Sequence, residues 1–212
     1  MLTWKLRGDS RPASLVPESE LHSKTLSFRV ALFFVLMWTM SAAADCVLNP
    51  GGLVGWWPGD GNANNVLGTN NGTLSGGATA TASGFVGTAF SLDGTNNFVQ
   101  VPDSTVLKPT NLTVEAWVRF SGLDTPGTAT VGRQYIVFKK NSSSSDFEGY
   151  DLSKTRVAGG DAFEFRVSSA SAQSAAVTST TLVTTGIWYH VAAVRGTNFL
   201  QIYVNGQLQG QT

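Results

Sequence analysis

Cleaving a glycosidic bond takes two carboxyl groups flanking it, one to protonate the leaving oxygen and one to attack or to activate water. Glu115 and Glu164 are the acidic residues set in strand-like surroundings. Each stands alone in its pattern, with Arg119 or Arg166 further along the same side, so they predict ion pairs rather than acid catalysis. No G-x-S-x-G elbow offers a serine nucleophile. His190 is the one histidine beyond residue 44, and a lone imidazole in an apolar run reads as a packing group. Cys46 is the only cysteine, which excludes an internal disulfide.

Two loops carry hard oxygen donors. "GDGNANN" holds Asp60 and Asn62 at alternate positions, with Asn64 and Asn65 beyond, and "LDGTNN" holds Asp93, Asn96 and Asn97. Such oxygens suit calcium, with Asp60, Asn62, Asp93 and Asn96 as the candidate ligands. The same residues equally serve turns, through side-chain to backbone bonds and left-handed conformers. Sugar binding needs aromatic rings standing free beside hydrogen-bonding groups. Tyr135, Phe147 and Tyr150 are the candidates, the last two flanking a Ser-rich loop and expected to be exposed.

The elements that must position these groups read as strands. In "NLTVEAWVRF", Leu112, Val114, Ala116, Val118 and Phe120 share one face and Thr113, Glu115, Trp117 and Arg119 the other. "AFEFRVS" and "FLQIYVNG" alternate in the same way, and Asn205-Gly206 supplies a tight hairpin turn. "WYHVAAVR" is apolar on both sides, as a central strand is. Shorter strands are expected at Leu53–Trp57, Gly72–Leu74, Ala89–Asp93, Phe98–Val101, Tyr135–Lys139 and Tyr150–Ser153, with Ser168–Val177 a loop or weak edge strand. No helical period is sustained after residue 44. The expected fold is all-β, a two-sheet antiparallel sandwich.

The chain's 14 basic residues balance its 14 acidic ones, so charge gives no reason to expect nucleic acid or an anionic membrane. Arg29, the apolar run Val30–Met40 and the small residues Ala42 and Ala44 form an export signal with cleavage expected after Ala44. That run of 11 residues is shorter than the roughly 20 that span a bilayer, so the mature chain is expected in the extracellular space without membrane insertion. The expected division is a leader and signal at 1–44, a short linker at 45–52 and the sandwich at 53–212.

Taken in order, "GLVGWWPGDGNANN", "GFVGTAFSLDGTNNFVQVPDS", "LTVEAWVRF", "YIVFKK", "GYDLS", "FEFRV", "GIWYHVAAVR" and "LQIYVNGQLQG" resemble the laminin-G-like domain of the concanavalin A-like lectin and glucanase superfamily. The resemblance implies a jelly roll, and because Trp56, Trp57, Trp117 and Trp188 fall inside its shared blocks it implies that they are core residues. It also implies a strand beyond the Tyr203-Val204-Asn205-Gly206 hairpin, so the sequence reads as a piece of a longer protein whose sandwich lacks its last strand. Relatives that cleave glycans carry an E-x-D-x-x-E strand, which is absent here, whereas relatives that bind calcium do so at the sandwich rim. The expected function is a secreted, non-catalytic recognition or adhesion module. It would take a glycan or an extracellular protein at a loop rim or concave sheet, with calcium (Ca2+) fixing the loops. The alternatives are a structural spacer in a larger extracellular protein and an accessory or degenerate domain of a glycan hydrolase.

Overall fold

The computed structural model describes residues 2–3, 51–124, 132–140, 149–169 and 174–212, the first pair by backbone alone. The chain divides into two units, Met1–Lys5 with Gly52–Thr212, and Leu6–Gly51, and the described elements belong to the first. The export segment, Cys46 and Phe147 lie outside the described residues.

The strands are β1 (Leu2–Thr3), β2 (Thr73–Ser75), β3 (Thr79–Ser83), β4 (Thr88–Ser91), β5 (Phe98–Gln100), β6 (Leu112–Arg119) and β7 (Gln134–Lys140). They continue with β8 (Gly149–Val157), β9 (Gly160–Ser168), β10 (Ser174–Leu182), β11 (Trp188–Arg195), β12 (Leu200–Val204) and β13 (Gln207–Gln211). A 3-10 turn at Thr105–Leu107 is the only helical element among the described residues. Leu53–Trp57, expected as a strand, is irregular. Its backbone is held by a side chain instead, since Asn65 Oδ1 accepts the Trp56 amide at 2.9 Å. β3 and most of β10 were not expected, because "TATAS" has no large apolar residue and "TSTTL" has only Leu182. The two-residue β1 lies within the larger sheet.

Seven strands form one antiparallel sheet in the order β13-β12-β11-β6-β1-β4-β3, and four form a second in the order β10-β9-β8-β7. β2 and β5 make a separate ladder. The main core lies between the two large sheets. Val118, Tyr189, Val191, Ala193, Ile202 and Val204 come from one, and Leu152, Phe163, Phe165 and Val177 from the other. Phe163 and Phe165 are fully buried, which stabilises by about 1.5–3 kcal/mol each. A second, smaller cluster of Ala63, Ala80, Phe90 and Ala116 sits under β4 and β6. This is a jelly-roll sandwich of the expected class.

The Asn205-Gly206 turn has positive φ at both residues, 50° and 79°, as the β12–β13 hairpin requires. β13 then closes against β10, where a Cβ on Gly210 would lie 2.5 Å from the Thr178 carbonyl oxygen, so only glycine fits.

Asp103, in the loop after β5, ties the 3-10 turn to the edge of the smaller sheet. Its carboxylate accepts Lys108 Nζ and Lys139 Nζ, both at 2.6 Å. The Lys108 bond, then the Lys139 bond, lowers its pKa from 3.8 to about 2. A depressed carboxyl pKa contributes stability above the unfolded value that is lost as pH falls through the folded one, here between 3.8 and about 2. In an NMR titration Asp103 should therefore show a midpoint near 2, moving towards 3.8 in Lys108→Gln; a midpoint near 3.8 in the parent chain would contradict the bridge.

Candidate functional site

β7 is the edge strand of the smaller sheet, and its register against β8 slips by one residue. Tyr135 faces Ser153, yet Val137 faces Leu152, so Ile136 is extra. This β-bulge turns Ile136 and Val137 both inward onto the core. Tyr135 and Phe138, three apart, consequently share the outer face. Their rings meet edge to face with centroids 4.9 Å apart, and they are 51% and 45% exposed. Unbroken alternation would have grouped Tyr135 with Val137 instead.

The same face carries a polar network. Because Leu152, Phe163 and Phe165 point into the core, Asp151, Ser153, Thr155, Glu164 and Arg166 point out. Arg133, just before β7, reaches across β8 to β9. Its Nη1 donates to Ser153 Oγ at 2.9 Å and to Glu164 Oε1 at 2.8 Å, and its Nη2 to Thr155 Oγ1 at 3.1 Å. Arg166 Nη2 donates to the same Glu164 oxygen at 2.7 Å, so the Glu164–Arg166 pair read from the sequence is present. Lys140 Nζ meets Asp151 Oδ2 at 2.6 Å, with Arg133 3.9 Å from the other oxygen. Both carboxylates are thus engaged by cations, and neither stands free as an acid or nucleophile. The sequence reading found Tyr135 and Glu164–Arg166 but missed Arg133, Lys140 and Asp151. The faint signal was polar residues at alternate positions of "YDLSKTRV".

Tyr150 is not the exposed residue expected. It shares the inward side of β8 with Leu152, packs against the main core and donates its hydroxyl to the Leu107 carbonyl at 3.1 Å. Burial pushes its phenol pKa up. Trp117 and Trp188, expected in the core, lie on the outer face of the larger sheet, since their strand neighbours Val118 and Tyr189 point inward. Phe85, from the β3–β4 turn, stacks on Trp117 with centroids 3.8 Å apart and planes 7° from parallel. Glu115, expected beside Arg119, meets His190 across the strands at 3.5 Å.

The calcium expectation rests on oxygens the structure has largely committed. Asp60 Oδ1 accepts the Thr88 amide at 2.9 Å, and Asn62 Oδ1 accepts the Asn64 amide at 2.8 Å. Asn65 is buried and donates Nδ2 to the Thr69 carbonyl, which a carboxylate could not do. Asp93 Oδ1 accepts the amides of Thr95, Asn96 and Asn97 at 2.8, 3.2 and 3.3 Å. These amides, Thr95 foremost, lower its pKa. Asn96 enters through that amide. Asn97 Oδ1 and Gln134 Oε1 are buried without a hydrogen-bond partner. Among the described residues no group of three His, Cys, Asp or Glu could hold a metal.

The antiparallel two-sheet jelly roll defines the class of concanavalin A-like β-sandwich domains. Residues 93–212 match the laminin-G-type model of the concanavalin A-like lectin/glucanases superfamily, and the chain belongs to that superfamily. Such domains are generally non-catalytic and typically extracellular. Among solved structures, the chain is similar to part of an S-layer domain-containing protein from Clostridium thermocellum, at 24% identity and a TM-score of 0.45, covering 74% of this chain and 71% of that one. No curated protein matches. No helix among the described residues is long and apolar enough to cross a membrane.

Proposed function

We propose that this chain is a secreted, non-catalytic recognition module of a larger extracellular protein, and that it binds a glycan on the outer face of the smaller sheet. The supporting observation is the half-exposed Tyr135–Phe138 pair beside the Arg133–Ser153–Glu164–Arg166 network. Rings of this kind take the C–H face of a pyranose, while the flanking donors and acceptors take its hydroxyls. Calcium is not required, because the network fixes the face by itself.

Full-length protein on a glycan array should be retained equally with and without chelator. Tyr135→Ala with Phe138→Ala should weaken retention at least about tenfold while leaving the circular dichroism unchanged. Silence of the parent chain across glycans would favour the spacer. Sugar cleavage that disappears in Glu164→Gln would remove the non-catalytic reading.

A further inference from the structure

The turn between β3 and β4 holds a large apolar ring out in solvent. Phe85 is 52% exposed and its neighbour Val86 57%, although one face of the Phe85 ring lies flat against Trp117. Its other face is therefore the open one. The turn is fixed at its base, where the Gly84 amide donates to the Gly87 carbonyl at 3.0 Å and Asp60 Oδ1 accepts the Thr88 amide at 2.9 Å. Thr88 Oγ1 lies 2.9 Å from the Gly59 carbonyl oxygen and 3.0 Å from that of Ala80, which ties the same point to two further segments. Trp188 meets Phe85 edge-on with centroids 6.4 Å apart, and His190 tilts against Trp117 at 5.2 Å. Charged groups stand among these rings. The Arg119 guanidinium lies over Trp188, 5.1 Å from its centroid, and His190 Nε2 is 3.5 Å from Glu115 Oε2, those two side chains being partly exposed.

We propose that this platform is a second sugar-binding site, on the outer face of the larger sheet, which takes the C–H face of a neutral pyranose on the open side of Phe85. It is separate from the site on the smaller sheet, and neither depends on the other. A ring already backed by Trp117 on an anchored turn loses little freedom when a ligand stacks on it, so more of the stacking free energy appears as affinity. His190, Glu115 and Arg119 bring both donors and acceptors to the same face, as sugar hydroxyls require. A cage for a cationic ligand needs uncovered ring faces, but Phe85 covers Trp117 and Arg119 already lies over Trp188, where a second positive charge is repelled. An apolar protein surface laid here would bury those three charged side chains without partners for their remaining polar atoms, which favours a hydroxyl-rich ligand.

The test uses the full chain and follows the indole N–H signals of Trp117 and Trp188 by NMR as cellohexaose, mannohexaose or xylohexaose is added. At least one of these sugars should shift both signals. Phe85→Ala should weaken that binding at least about tenfold with the circular dichroism unchanged, and Phe85→Tyr should retain it. Tyr135→Ala with Phe138→Ala should leave these shifts as they are. Signals that stay put with all three sugars, or shifts that survive Phe85→Ala, would overturn the proposal. Self-association on size-exclusion chromatography that Phe85→Ala abolishes would also overturn it, assigning the platform to a second copy of the chain. Phe85-dependent shifts in a chain whose glycan retention is indifferent to Tyr135→Ala with Phe138→Ala would sink the smaller-sheet site and uphold this one.

Discussion

Lys154→Met should cost about 3–5 kcal/mol and lower the melting temperature by roughly 10 °C or more, the largest stability loss expected from any single charge in the chain. Lys154 projects to the core side of β8, where its side chain is fully buried. Its ammonium donates to the carbonyls of Leu123 and Gly132, both ahead of β7 in the chain, and to Asp161 Oδ1 at 2.9 Å. Methionine matches the volume but removes this donor from the buried Gly132 carbonyl and the half-buried Leu123 carbonyl, and a buried group left unsatisfied costs about 1–3 kcal/mol. Asp161 would keep Arg156, whose Nε donates to both of its oxygens at 3.1 Å. Burial pushes the Asp161 pKa up, but the Lys154 and Arg156 bonds together bring it below 3.8. The pair's stabilisation is therefore present above pH 3.8 and lost as pH falls below it. Arg156→Met should cost less, because that side chain is 45% exposed. Equal losses in thermal melts of the two variants would contradict this account.

Arg133→Met is expected to cost nearly as much, about 3 kcal/mol, and to disable ligand binding with it. Its guanidinium reaches β8 and β9 together on the outer face, bonding Ser153, Thr155 and Glu164 while 11% exposed. Arg133→Lys should recover only part of the loss, since a point charge cannot reproduce the fork. Adding Glu164→Gln to Arg133→Met should return some stability, because much of the penalty is a carboxylate left with one partner fewer. If denaturant unfolding showed the double variant losing the sum of the two single losses, the network would not be acting as a unit.

What was legible in the sequence was whatever local periodicity specifies. "NLTVEAWVRF" became β6 with the expected inner face, and Asn205-Gly206 became the expected turn, because a period of two and a positive φ are properties of neighbouring residues. The family blocks fixed the superfamily for the same reason. Tyr150 was misread because adjacency to a Ser-rich loop says nothing about which side of the pleat a ring takes.

Alternation, turns and composition thus determined by themselves that this chain is an all-β sandwich and which strand faces are oily. Tertiary structure alone decided where a ligand could sit. One extra residue at Ile136 moved Phe138 beside Tyr135, and groups 20 to 31 residues apart, Arg133 with Ser153 and Glu164, met only when β7, β8 and β9 lay side by side. Such meetings depend on strand order and register, which are set by how whole sheets pack rather than by any residue's neighbours in the chain.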